Sequence, residues 1–414
     1  MADHVSVLAT QAQRDTEETA LWLIEQPSAR HARERSRAVL LGDAVAGTAD
    51  GRALLERALD EWTMFLAMRI ANCDVARPKM VWNADNAARV WLGHVYPGAL
   101  AAIENPDNTN REARIDGGFA YEVRGRFGPN PASFSLTMEH HEGWHNGIGQ
   151  HVDALPGGTI EADVDGRFIV TIDASPANGR RNHLQTQPGA LYLYARDSQF
   201  DWEQSIAELE IVLIEGQPAP QRGRDDLLAE FAANIESWVR YWCGFKDWFL
   251  ETPDYNQLVG PRGREGGWGY LAGGKFKIAA DEALIVTIHD GGAEYTGFQI
   301  SDPWTMSPNP AYRLVSRNKS CSKPNADGSF TYIVAPVDPG LYNWVDTGGL
   351  STGWFLVRWQ GDFSKGKPAD MVREVKLVKS SALAQLLPDA ATATIADRNN
   401  EIAQRLRRTA RRIA

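Results

Sequence analysis

The chain has 414 residues, more than one ordinary hydrophobic core accommodates, so two or three domains are expected. Hydrophobic residues make up 43% and charged residues 23%, the balance of a globular protein. A formal net charge of -10 argues against a nucleic-acid binder, which needs a basic face, and no apolar stretch is long enough to span a bilayer.

The N-terminus, MADHVSVLATQAQRDTEETA, has no basic start followed by an apolar run, so it does not read as a secretory signal. Residues 1–105 read as a helical region. Helical spacing is clear in DGRALLERALDEWTMFLAMRIANC (50–73), with Asp50 as its N-cap, and helices also fit TEETALWLIEQ (16–26) and NADNAARVWLGHV (83–95). The polar stretch ENPDNTNREARID (104–116) reads as a connecting loop leading into the first strand; Asp107, Asn108 and Arg111 could line a cleft there.

From about residue 110 the period changes to two. FAYEVRGRF (119–127), ASFSLTMEH (132–140), GRFIVTIDA (166–174) and ALYLYARD (190–197) read as strands of a first β module over 106–216. In 132–140, Phe134, Leu136, Met138 and His140 share one face, and Ser133, Ser135, Thr137 and Glu139 the other. A linker and a long aromatic-striped helix follow over 217–253, with the helix beginning at Arg224. Strands resume in a second β module over 254–380, with EALIVTIHD (282–290), YTGFQIS (295–301), SFTYIVAPV (329–337) and WFLVRWQGD (354–362). GYLAGGKF (269–276) has phosphate-loop glycines, but Phe276 stands where a magnesium-binding Ser or Thr is needed and no helix follows, so it reads as a turn before a strand. The tail, 381–414, ends in a helix whose arginines read as solvated, with contact to an anionic partner as the alternative.

The two β regions echo each other. DGRFIVTI, Asn182-His183-Leu184 and ALYLYARD in the first answer DGSFTYIV, Asn343-Trp344-Val345 and WFLVRWQGD in the second. The fold expected is therefore α+β, mainly β: two related antiparallel β-sandwich or jelly-roll-like modules, a helical N-terminal region and bracketing helices.

The second half resembles the domain of unknown function 1214 family. The likeness is carried by Y-x-G-F-Q-I-x-D-P-W (295–304), Asp338-Pro339-Gly340, Asn343-Trp344 and Asp346-Thr347, with Asp201-Trp202-Glu203 closing the first β half. It spans roughly 110–365 and is strongest over 326–360. It implies a β-sandwich or jelly-roll-like fold and carries no chemistry with it.

Chemistry is sought first in TMEHHEGWHNGIGQH (137–151), where His141-Glu142-x-x-His145 matches H-E-x-x-H and His151 has the spacing of a third zinc ligand. A peptidase needs those histidines on one helix face, whereas a strand pattern precedes them and Gly143, Gly147 and Gly149 oppose a helix. A loop gathering His141, His145 and His151 around a divalent metal such as zinc is the version that survives; no nucleotide cofactor is expected. The acid–base candidates are His141, His145, His151 and His289, with Asp346 and Arg358 orienting a polar group. The binding candidates are Asp107, Asn108, Trp304, Asn343 and Trp344. The blander reading makes Asn343 to Asp346 a structural corner.

Cys73, Cys243 and Cys321 are odd in number and widely spaced, which suits a reducing cytoplasm. The leading expectation is an enzyme performing non-redox hydrolysis, elimination or isomerisation on a lipid-like or glycan-like small molecule in an aromatic-lined cleft. The alternatives are a non-catalytic carbohydrate- or lipid-binding protein and an assembly protein docking through its arginine-rich tail. The oligomeric state is open, a homo-oligomer included.

Overall fold

The computed structural model describes residues 6–413 except 84–86, 101–102, 218–219, 250, 252–253, 267–268, 362 and 364–366. Three helices open the chain: α1 (Gln11–Glu25), α2 (Pro27–Leu41) and α3 (Ala49–Ala71). The first β region holds β1 (Val81–Trp82), β2 (Arg89–Trp91), β3 (His94–Tyr96), β4 (Asn108–Asp116), β5 (Ala120–Arg126), β6 (Ser133–His140), β7 (Gln150–Pro156), β8 (Arg167–Asp173), β9 (His183–Gln185), β10 (Ala190–Ser198) and β11 (Glu208–Glu215). Helix α4 (Arg224–Trp248) separates it from β12 (Val259–Gly263), β13 (Gly269–Lys277), β14 (Glu282–Ile288), β15 (Tyr295–Ser301), β16 (Ser316–Asn318), β17 (Phe330–Ala335), β18 (Trp344–Asp346), β19 (Thr352–Gln360) and β20 (Val372–Lys379). The chain closes with α5 (Leu383–Leu386) and α6 (Ile395–Ile413).

The fold is α+β and mainly β, and the internal echo extends to topology. A five-stranded sheet runs β1-β4-β10-β6-β7 in the first sandwich and β12-β13-β19-β15-β16 in the second. The opposing four-stranded sheets run β11-β5-β8-β9 and β20-β14-β17-β18. Strand for strand in chain order these are the same arrangement. Each four-stranded sheet even ends on one parallel pair, β8 with β9 and β17 with β18, among otherwise antiparallel neighbours.

Alternation builds each core. Leu136, Met138, Leu191, Leu193 and Ala195 turn inward in the first sandwich, against Val123, Val170 and Ile172 of the opposing sheet. Phe298, Ile300, Phe355, Val357 and Trp359 do so in the second, against Leu284, Val286 and Val334. The remaining face of each five-stranded sheet is also covered. Tyr192 and Tyr194 of β10, and Trp354 and Leu356 of β19, join one apolar cluster with Trp62 and Phe65 of α3 and Trp238 and Trp242 of α4. The aromatic stripe of α4 is thus core, and the helical layer bridges both sandwiches.

Several expectations need correction. Of the helix expected over 83–95, residues 84–86 lie outside the described residues, and the rest includes the β2–β3 hairpin. Its turn takes Leu92 at φ 51° and Gly93 at φ 90°, the left-handed pair of a two-residue hairpin. Helix α2 went unrecognised because its buried stripe is small, Ala29, Ala32, Ser36 and Leu40, and carries little hydrophobic signal. Thr48, not Asp50, caps α3; Asp50 instead accepts hydrogen bonds from Ser351 and Thr352 of the second sandwich. GYLAGGKF is itself most of β13: a Cβ on Gly274 would lie 1.8 Å from the Gln257 carbonyl oxygen, so its glycines allow close backbone approach rather than a turn. In the expected linker, residues 218–219 lie outside the described residues.

The C-terminal arginines are not all solvated. Arg398, Arg405 and Arg412 form a buried stripe on α6 at heptad spacing. Arg398 pairs with Asp338 at 2.9 Å, Arg405 donates to the Ser316 carbonyl at 2.5 Å, and Arg412 donates to the Pro106 carbonyl at 3.3 Å. Their guanidinium groups lie over tryptophan rings, Arg398 over Trp344 and both Arg405 and Arg412 over Trp202. Helix α6 therefore clamps both sandwiches of its own chain. No helix among the described residues is long and apolar enough to cross a membrane.

Candidate functional site

A cavity of about 360 Å³ lies where the two five-stranded sheets meet the helical layer. Strand β4 contributes Asn108, Asn110 and Glu112; β6 contributes Thr137 and Glu139; β10 contributes Tyr194 and Arg196. These are alternate residues, so the face opposite the sandwich core is the cavity wall. Phe65 and Arg69 enter from α3, and Leu271 and Arg358 from β13 and β19 of the second sandwich.

The most buried polar group in the wall is Arg69. Its Nε and Nη2 donate to the two Glu112 carboxylate oxygens, each at 3.0 Å, and Nη2 also donates to the Tyr194 hydroxyl at 2.7 Å. The guanidinium lies 4.7 Å from the Phe65 ring centre and 4.6 Å from that of Tyr192. Burial pushes its pKa down, but the Glu112 carboxylate together with Tyr194 and Tyr192 more than offsets burial and raises it. Arg69 is a fixed cation.

From Tyr194 the network continues to His141. The Tyr194 hydroxyl is 3.1 Å from His141 Nε2, and Glu139 Oε2 is 3.5 Å from the same nitrogen. Burial pushes the His141 pKa down, opposed by the Glu139 hydrogen bond and assisted by Arg69, so the ring is neutral at pH 7. Its Nδ1 is buried with no hydrogen-bond partner among the described residues. For Glu139 burial acts upward, but the hydrogen bond from His141 and the nearby Arg196 carry its pKa below the ordinary value and keep it ionised. Burial holds the Tyr194 pKa well above the phenol range. An ionised carboxylate and a neutral phenol, backed by a neutral imidazole and a fixed cation, therefore border the cavity.

The loop from His141 to Gly149 closes over this network in place of a helix. Arg69 Nη1 donates to the Gly147 carbonyl at 3.3 Å, Ile148 N donates to the Tyr241 hydroxyl at 3.1 Å, and Gly149 N donates to Glu139 at 3.1 Å. A Cβ on Gly147 would stand 2.0 Å from the Trp242 ring, and one on Gly149 would stand 2.5 Å from the His141 ring. The glycines that argue against H-E-x-x-H are the ones that let this loop lie flat on α4 and on His141.

The expected metal trio does not converge. His141 is buried in the Tyr194 network, His145 is exposed on the loop, and His151 lines the cavity next to Gly266. No group of three or more His, Cys, Asp or Glu side chains among the described residues is placed to hold a metal ion. His289 lies at the end of β14 in the opposing sheet, where its Nδ1 accepts from Gly291 N at 3.1 Å, away from the cavity wall.

The remaining expected residues divide. Arg358 and Asn108 line the cavity. Asp107 does not; it is a buried junction between the sandwiches, accepting from Trp202 at 2.8 Å, Tyr295 at 2.8 Å and Asn318 at 2.9 Å. Arg111 is paired with Asp197 at 2.7 Å inside the first sandwich. Trp304 is fully buried, edge-on to Trp62, and donates to the Gly51 carbonyl at 2.8 Å. Asn343 holds the corner before β18 by bonding Lys323 and Thr331 backbone, and Trp344 donates to the Ala335 carbonyl at 2.9 Å. Asp346 accepts from Gly348 N at 2.7 Å and pairs with Arg313 at 3.2 Å. The residues carrying the family resemblance in this stretch thus form a structural corner.

Sequence reading missed Arg69, Glu112, Glu139, Tyr194, Arg196 and Arg264 as site residues. The signal was available in part: the polar faces of 132–140 and 190–197 alternate with core positions, and a polar strand face that is also buried marks a cavity or an interface.

No family model matches the chain, and no curated protein matches it. Among solved structures, the chain is similar to an uncharacterised protein from Burkholderia cenocepacia, with 26% identity, a TM-score of 0.71, and coverage of 88% of this chain and 100% of that one. A protein from Vibrio parahaemolyticus is more distant, with 11% identity, a TM-score of 0.43, and coverage of 67% and 90%.

Proposed function

We propose that the cavity between the sandwiches is the active site of an enzyme that moves a proton on a small organic molecule, in an elimination or isomerisation. The observation that carries this reading is the Glu139–His141–Tyr194–Arg69 network at the cavity wall. Glu139 is the general base. It is ionised, it reaches the cavity, and Gly149 N and His141 hold its orientation. Tyr194 is the donor to the oxyanion that forms as the proton leaves. Arg69 donates to the phenol oxygen, which strengthens the phenol as a donor. His141 is a positioning residue between the two. The apolar wall of Phe65, Ile148, Trp242 and Leu271 suits a hydrocarbon body on the substrate.

The test is turnover by the wild-type protein across a panel of small organic acids, esters and hydroxy compounds, followed by NMR, with Glu139→Gln as the comparison. Consumption of a compound by the wild type and not by Glu139→Gln supports the reading. Equal consumption by both contradicts it. Binding without consumption would favour a non-catalytic receptor in the same cavity.

A further inference from the structure

The cavity holds a second group of side chains that the proton-transfer network does not use. Arg196 comes from β10, Arg358 from β19 and Arg264 from the segment just after β12, so three arginines reach one space from three elements and both sandwiches. Two of them occupy equivalent positions in the two sandwiches. Arg196 stands opposite Asn110 of β4 and Ser135 of β6, and Arg358 stands opposite Leu271 of β13 and Gly297 of β15. Each is the seventh residue of a nine-residue central strand. Two copies of one sheet position thus aim cations at a shared cavity.

Their surroundings fix them there. Arg196 donates to the Thr137 hydroxyl, and Arg358 donates to the Gln299 side chain and the Ile103 carbonyl. Around Arg264 the field is net positive: burial lowers its pKa first, Arg358 and Arg196 lower it further, and Glu139 opposes them. Glu104, Glu112, Glu139 and Glu265 line the same cavity, but Glu112 is held by Arg69, and Arg358 and Arg196 act on Arg264 ahead of Glu139. That local balance favours an anion entering beside the three forks. Trp242, Phe249 and Leu271 line the same cavity and give it apolar surface, with Leu271 beside Arg358 on the neighbouring strand.

We infer that the cavity selects a small organic anion, a carboxylate or phosphate head group on a short hydrocarbon body, with the head group held by Arg196, Arg264 and Arg358 and the body laid against Trp242, Phe249 and Leu271. Guanidinium forks match both oxyanions, and the volume suits a body of a few carbons. This inference rests on the cavity being the working site. It assigns the arginines to binding, leaving Glu139 and Tyr194 to the chemistry.

The test is calorimetric titration of the full chain with hexanoate, hexyl phosphate and hexan-1-ol, in wild type, Arg264→Gln and Glu139→Gln. Arg264 lies on the segment between β12 and β13 and belongs to neither sandwich core, so its substitution should leave the fold intact, checked by circular dichroism. Either anion is expected to bind and the alcohol to bind at least tenfold more weakly. Arg264→Gln is expected to lose about tenfold in affinity for the anion. Glu139→Gln, which removes a negative charge from the same cavity, should bind the anion at least as tightly as the wild type. Preference for hexanoate over hexyl phosphate, or the reverse, identifies the head group. Equal binding of alcohol and anions, no binding of any of the three, or unchanged anion affinity in Arg264→Gln would overturn the inference. Each of those can occur with the proton-transfer reading intact, whereas anion binding without turnover of any compound would remove that reading alone.

Discussion

Arg196 and Arg358 occupy the same register position in two copies of one sheet, and both face one cavity. The repeated topology therefore does more than double a scaffold. It places two equivalent polar strand faces around a common space, and the helical layer of α3 and α4 closes that space with Arg69 and Trp242. The halves have diverged where the chemistry is: the fifth residue of the central strand is Tyr194 in one copy and Leu356 in the other.

Tyr194→Phe removes one hydroxyl and leaves the ring packing among Tyr192 and His141. Turnover is expected to fall by about 10²-fold or more, the range for losing one oxyanion donor. The melting temperature should change little, because Arg69 keeps Glu112. Steady-state kinetics beside a thermal melt checks both parts.

Stability should fall on mild acidification. The folded-state pKa of His141 is depressed by burial, so the unfolded chain binds a proton more readily. The contribution of the neutral ring is fully present above the unfolded value of about 6.5 and is lost as pH falls from there toward the lower folded pKa. Glu139, also depressed, adds a loss only at lower pH, below the ordinary carboxylate value. Urea midpoints of wild type and His141→Gln between pH 7.5 and 5 should converge as pH drops; parallel curves would count against a buried neutral His141.

Gly147→Ala should destabilise by about 1–3 kcal/mol, because the new methyl group overlaps the Trp242 ring, itself fixed between Trp238 and Phe245. Gly158→Ala, which meets nothing within 4 Å, is the matched control. Equal urea midpoints for the two variants would mean that the loop does not lie on α4 as described.

The clamp by α6 makes a separate prediction. Arg412 lies 4.5 Å from the Trp202 ring centre and joins the tail to the first sandwich. A double-mutant cycle of Arg412→Met and Trp202→Leu should give a coupling of about 0.5–2 kcal/mol in unfolding free energy. Additive effects would show that the stacking contributes nothing.

The strands that form the two cores were legible because they alternate cleanly: YTGFQIS and GRFIVTIDA give their strands almost to the residue. The internal echo was legible for the same reason. The site was not, because its walls are polar strands that look like loops. NTNREARID is a central strand, yet seven of its nine residues are polar or charged. Its burial becomes affordable only through partners far along the chain, Asp197 for Arg111 and Arg69 for Glu112. Arg358 and Asn108 were picked out through local patterns, but nothing local connects Glu139 with Tyr194: the β6–β10 ladder sets Glu139 opposite Tyr192, and His141 links it to Tyr194. The histidine cluster misled because spacing alone does not set direction: a strand and a glycine loop send His141 inward and His145 out.

The most direct test of the central claim is hydrogen–deuterium exchange at carbon. Wild-type protein and Glu139→Gln would be incubated in D2O with a panel of small carbon acids that includes short-chain carboxylates, and proton NMR would follow the loss of C–H signal. The account predicts exchange into at least one compound with the wild type and at least a hundredfold slower exchange with Glu139→Gln, about the lower end of what a general base contributes. Exchange at equal rates in both proteins would contradict Glu139 as the base, and no exchange or turnover with any compound would contradict a proton-transfer enzyme altogether.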